Sequence, residues 1–131
     1  MNAVSGLGGF LGVGIGAALG AWLRWGLSAA LNPLFPNVPL GTLVANLIGG
    51  YLVGFFVALF NLHVELPPEA KLLIITGFLG GLTTFSTFSA EVVGLLERGQ
   101  YAWALVTASG HVLGSLAMTA LGILTFNLLF R

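Results

Sequence analysis

Thr107, His111, Ser115 and Thr119 recur at a strict four-residue interval along the last apolar stretch of the chain. Neighbours at i and i+4 share a helix face, so these four form one ridge of hydroxyls and an imidazole inside an otherwise apolar helix. Each hydroxyl could simply bond its own backbone carbonyl four residues back. Four in register, one of them ionisable, lean instead toward a path for something polar. Asn46 lies within Gly41-Thr42-Leu-Val-Ala-Asn46-Leu-Ile-Gly49-Gly50. Its amide offers two N–H donors, to a small anion or to a neighbouring helix's carbonyl. Phe85 and Phe88 share a face within Thr83-Thr84-Phe85-Ser86-Thr87-Phe88-Ser89. Ring edges are positive and faces negative, so edges turned into a pore attract an anion, while ordinary packing remains the default. Glu91 adds a carboxylate in or near a membrane stretch, where such groups default to function.

These residues cluster on one unusual segment. Residues 71–91 are apolar enough to cross a bilayer, yet Gly80-Gly81 and then a run of hydroxyls and phenylalanines interrupt the middle. Backbone groups freed from helical pairing in hydrocarbon must find new partners, so a broken membrane helix belongs where it lines a cavity or holds an ion. That points to transport. Paired carboxylates, a Ser-His-Asp set, a metal-ligand cluster and a phosphate loop are all missing from the sequence, so the chain is not expected to be an enzyme. With no cysteine, disulfides and thiolate chemistry are excluded.

The elements that must position these groups follow from composition. Hydrophobic residues make up 57% of the 131 residues and charged ones 6%, against roughly 25% charge in a soluble domain. The charges are Arg24, Glu65, Glu69, Lys71, Glu91, Glu97, Arg98 and Arg131. A span needs about 20 apolar residues. The uncharged stretches and the turn signals around Pro33, Pro36, Pro39, Pro67-Pro68 and Gly99 therefore predict four helices, over about 5–31, 41–61, 70–97 and 101–130. The expected fold is an all-α membrane protein, one four-helix transmembrane domain over 1–131, with its third helix broken. Lacking Lys or Arg before its apolar run, the amino terminus does not read as a cleaved signal peptide.

Four spans place Lys71 and Arg131 at one face, and Arg24 and Arg98 at or toward the other. Positive charge orients membrane helices, and two against two gives no evident orientation. Insertion both ways up would make an antiparallel dimer with its twofold axis in the membrane plane, unless the amino terminus or a protein context imposes one direction. Glycines at 8, 12, 16 and 20, at 50 and 54, and at 110, 114 and 122 predict tight helix crossings. Arg24 is expected to snorkel to the interface and His63 to be solvated.

Leu23-Arg24-Trp25, Gly41-Thr42-Leu-Val-Ala-Asn46-Leu-Ile-Gly49-Gly50, Thr76 through Glu91 and Gly114-Ser115-Leu-Ala-Met118-Thr119 together resemble the Fluc (CrcB) bacterial fluoride channels. The likeness spans nearly the whole chain, and the Gly-Gly-Leu-Thr-Thr-Phe-Ser-Thr-Phe-Ser run is its most specific part. The resemblance implies a passive fluoride-selective channel of the bacterial inner membrane that exports fluoride from the cytoplasm. It also implies an antiparallel dual-topology homodimer with two pores. On that likeness Asn46 donates N–H to the ion, and Phe85 and Phe88 turn ring edges toward it. Ser86 and Thr87 form a polar track beside them, while Thr42, Glu91 and Ser115 line a vestibule. Gly80 and Thr83 give backbone carbonyls to a structural sodium ion (Na+) at the dimer axis. His111 stands where some members carry serine, and Thr107 where others carry tyrosine. The implied partners are fluoride, membrane lipid and a second copy of the chain, with no nucleic acid.

Two other classes remain as rivals. A dual-topology small-molecule or cation exporter of the small multidrug type needs a carboxylate early in its first helix, and residues 1–23 carry no charge at all. A haem-holding membrane anchor would need His63 and His111 as axial ligands.

Overall fold

The computed structural model describes residues 6–131. Four helices are long and apolar enough to cross a bilayer: α1 (Leu7–Leu31), α2 (Leu40–Leu62), α3 (Pro68–Glu97) and α4 (Tyr101–Phe130). The expected first residue of α1, Ser5, lies outside the described residues. Pro33 ends α1, because the residue before a proline disfavours the helical region, and a short 3-10 turn, Asn32–Leu34, follows. The side chain of Asn32 then reaches forward. Its Oδ1 accepts from Gly41 N–H at 2.7 Å and Thr42 N–H at 3.3 Å, satisfying two amides that the start of α2 would leave orphaned. Pro68 opens α3 with its missing donor in the first turn. Gly99 closes the third loop in a left-handed conformation, φ 74°, which lets Gln100 N–H return to Leu95 carbonyl at 2.8 Å.

The third helix is interrupted, although not where the glycines suggest. Wide π-helical turns run from Leu72 to Leu79, and Gly80–Leu82 continue as helix. The chain leaves helical geometry at Thr83 (ψ 156°) and Thr84 (φ −153°, ψ 112°), then resumes as Phe85–Glu97. The glycines have a different task. A Cβ on Gly81 would lie 3.0 Å from Ala17 Cα of α1, so its bareness serves helix approach. Thr84 makes the break by capping the second half of α3, its Oγ1 accepting from Thr87 N–H at 3.0 Å.

Packing sorts the helices into two seams. The first half of α3 lies along α1, where Gly16 and Gly20 meet its backbone, while α2 lies along α4 through Gly50, Gly54 and Gly122. The α2–α4 pairs advance in step, with Leu43 at Gly110, Asn46 at His111 and Gly54 at Thr119. These two helices therefore run in the same direction. The second half of α3 crosses toward α4, and Ala45, Leu79 and Leu82 are buried at the centre. Leu19, Trp22, Leu113, Leu116 and other large apolar side chains face outward, as a lipid-facing surface should.

Candidate functional site

At the break, two main-chain groups of Thr84 lose their helical partners, and one side chain takes both. Asn46 Oδ1 accepts from Thr84 N–H at 2.8 Å, while its Nδ2 donates to the Thr84 carbonyl at 3.1 Å. The same Nδ2 lies 3.0 Å from His111 Nδ1. One amide thus fastens the middle of α2 to the interrupted α3 and to α4. The choice of asparagine is physical: only a carboxamide presents an acceptor and two donors from a single short side chain. Both of Asn46's hydrogens are engaged.

Around this knot a groove of about 480 Å³ opens, lined by Asn46, Thr84, Phe85, Phe88, His111 and Ser115, with Gly80 and Thr83 on the same wall. Five of the residues singled out by type and spacing, Asn46, Phe85, Phe88, His111 and Ser115, from three helices, thus meet in one space with Gly80, Thr83 and Thr84. The two phenylalanines differ sharply. Phe88 is buried and lies against the imidazole of His111, centroids 4.6 Å apart. Phe85 is 77% exposed and sets its ring edge-on to Phe88 at 5.3 Å and 72°.

The break also changes the carbonyls of the first half of α3. An unbroken helix would send Thr84 N–H to Gly80 carbonyl and Thr87 N–H to Thr83 carbonyl. Here those donors go to Asn46 Oδ1 and Thr84 Oγ1, so both carbonyls lose their helical amides. The Thr83 hydroxyl turns back and donates to Leu79 carbonyl at 2.8 Å.

Thr42 and Glu91 form a second level, one turn away. Thr42 is buried, and its hydroxyl donates to Glu91 Oε2 at 2.7 Å. Glu91 Oε1 and Thr107 Oγ1 are buried without a partner. Ser86 is exposed and Thr87 half-buried on the first turn after the break. On α4, Thr119 donates across the seam to Gly50 carbonyl at 2.9 Å and not to its own backbone. The four-residue ridge is therefore turned toward α2.

Arg24 departs from expectation. Its Nε donates to Gly81 carbonyl at 3.0 Å, so the guanidinium is fixed to the end of the first half of α3 and does not simply snorkel. A cation satisfies helix C-terminal carbonyls well, and a lone charge inside a span was the signal that could have found it. Thr84 was the other residue missed, legible in hindsight as a hydroxyl three positions before the amide it caps. His63 is exposed at the end of α2 beside Glu65, at 3.1 Å. Seventeen residues separate it from Asn46, roughly 25 Å of helix, so His63 and His111 do not share a site.

The family model described as CrcB-like protein, Camphor Resistance (CrcB), matches residues 11–123. The chain belongs to the CrcB family. Its relatives include a protein of Nitrosospira multiformis, 66% identical over 113 residues, covering 86% of this chain and 88% of the relative. A protein of Pseudomonas putida is 61% identical over 116 residues, 88% and 91% of the two chains. One of Cupriavidus pinatubonensis is 60% identical over 121 residues, 92% and 96%. Each of these CrcB relatives is named fluoride-specific ion channel FluC. The CrcB match takes in the whole knot at Asn46, Thr84 and His111 and the close-approach glycines Gly16, Gly20, Gly50, Gly54 and Gly122 of the two seams.

Proposed function

We propose that this chain is a passive fluoride channel that lets fluoride leave the bacterial cytoplasm across the inner membrane and so confers fluoride resistance. In this reading residues 1–131 form one transmembrane domain, two copies pair antiparallel in dual topology, and the pair carries two pores. The observation that carries the reading is the groove at the break. It gathers an amide, an imidazole, hydroxyls and aromatic rings inside an apolar bundle, in a chain whose relatives are named for fluoride. Fluoride is small and strongly hydrated, so a pore must replace its water with many donors, here N–H, O–H and ring edges.

Pairing of copies explains why the groove is open on one side and why Phe85 stands exposed beside it. A second copy would close the wall. Its twofold would also bring the Gly80 and Thr83 carbonyls of both copies together, four oxygens around a hard cation, and sodium suits such a set. Thr42, Glu91 and Ser115 then line the approach to the groove, with Ser86 and Thr87 along its side.

Liposomes containing only this protein test the function. Fluoride efflux is expected, with chloride efflux under the same gradient far slower; equal rates would sink selectivity, and no fluoride efflux would sink the channel. Single cysteines at positions 37 and 69 should each label from both sides of the membrane. Strictly one-sided labelling at both positions excludes dual topology.

A further inference from the structure

His111 carries a buried nitrogen that nothing in the described protomer satisfies. The residue is 3% exposed, and its Nε2 is fully buried with no hydrogen-bond partner. Buried polar atoms are nearly always paired, so a lone one in a groove-lining residue asks what comes to it.

The neighbours fix which nitrogen holds the proton. Thr84 N–H can only donate, so the Asn46 atom it meets at 2.8 Å is the oxygen. The NH2 group then faces the Thr84 carbonyl and the ring. An amide nitrogen offers hydrogens and no useful lone pair, so His111 Nδ1 accepts, and the neutral ring carries its proton on Nε2. Asn46 thereby has no N–H left to give. His111 has one.

We infer that the Nε2–H of His111 is the N–H that fluoride meets in this chain, and that Asn46 is a positioning residue fixing the ring's tautomer and the break beside it. The inference deepens the fluoride-channel reading and rests on it. His111 lines the same groove as Thr84, Phe88 and Ser115. The Phe88 ring lies 4.6 Å away at 35°, so the imidazole is held by an amide at one nitrogen and by a ring on one face. A donor held this way needs little reorganisation when an anion arrives. Two further unpartnered buried atoms, Thr107 Oγ1 and Glu91 Oε1, belong to a residue one turn along α4 and to the carboxyl that accepts from Thr42.

Nitrogen NMR of histidine-labelled dimer, with sodium fluoride and sodium chloride as probes, reads the tautomer directly. His111 is expected as the Nε2–H form, with a shift on adding fluoride that chloride does not reproduce; an Nδ1–H form, or no response to fluoride, overturns the inference. Asn46→Asp should move a proton onto Nδ1, a change that a merely structural asparagine would not cause. In liposomes, His111→Phe keeps a buried ring and removes the donor, so fluoride efflux should fall ~10-fold or more, as for a lost hydrogen bond to a charge. His111→Gln, which restores an N–H at similar reach, should recover most of that loss. Parent-rate efflux by folded His111→Phe overturns the inference and leaves the channel reading standing, whereas a parent chain that carries no fluoride overturns both. If His111→Phe does not fold, the fluoride response of the parent's Nε2 decides alone.

Discussion

Between α1 and the first half of α3, contact is backbone on backbone: a Cβ on Gly16 would lie 2.8 Å from Phe78 N, and one on Gly20 2.7 Å from Leu82 N. Between α2 and α4 the approach is as close, with a Cβ on Gly122 2.8 Å from Phe55 N. That second seam also carries side-chain hydrogen bonds, Asn46 with His111, Thr119 to Gly50 carbonyl and Tyr51 to Thr125. Among the described residues, the first seam has only Arg24 to Gly81. Small residues in both seams reflect what lipid demands of any helix pair, since touching gains no hydrophobic stabilisation there. Polarity laid along the same line is what separates a site from a joint.

The comparison can be broken most violently at the apolar seam. Gly20→Val puts a branched side chain into backbone that cannot yield and should cost ~3 kcal/mol or more, the upper end for overpacking. Little monodisperse protein should survive detergent extraction. Gly26→Val, where a Cβ meets nothing within 4 Å, is the control and should extract like the parent. Well-folded Gly20→Val would mean that the close approach is not what holds α1.

At the polar seam, Asn46→Leu leaves the Thr84 N–H and carbonyl without partners. Thermal unfolding in detergent should show a loss of about 2–3 kcal/mol, together with loss of fluoride efflux. Asn46→Asp keeps the size but puts a like charge beside the ion when ionised, and conduction should fall ~10-fold or more. A folded, parent-rate Asn46→Leu channel would put the site elsewhere.

Thr42→Val sharpens the contrast one turn away. It removes the donor to Glu91 Oε2 at constant shape, and should destabilise by about 1–3 kcal/mol as a buried acceptor loses its partner. Thr42→Ser should recover most of that. The smallest effect on stability is expected at Phe85, whose ring is largely uncovered in the protomer. Phe85→Ile should change unfolding by under about 0.5 kcal/mol while lowering fluoride efflux. Parent-rate efflux from that variant would remove the ring-edge role at this position.

Four spans and three turns were legible because charge and proline are so sparse that each one marks a boundary. The meeting of Asn46, Phe88 and His111 was legible as candidates, through periodicity on each helix separately. Which groups pair was not, because that depends on the register of α2 against α4 and on where α3 breaks. The glycines drew the break two residues too early, since a helix-breaking residue in water is a contact surface in lipid. The partner of Arg24 was hidden for the same reason: it is a backbone oxygen, and backbone carries no sequence.

The amide of Asn46 also makes the bend in α3 depend on a neighbouring helix. Before α2 arrives, hydrocarbon offers Thr84 N–H no acceptor except the carbonyl of its own helix, and an unmet group there costs several kcal/mol. The segment Pro68–Glu97 is therefore most stable on insertion as one continuous rod. Its kink appears only when Asn46 supplies the Oδ1 that now holds Thr84 at 2.8 Å. The bend is thus a property of the helix pair and not of α3 alone.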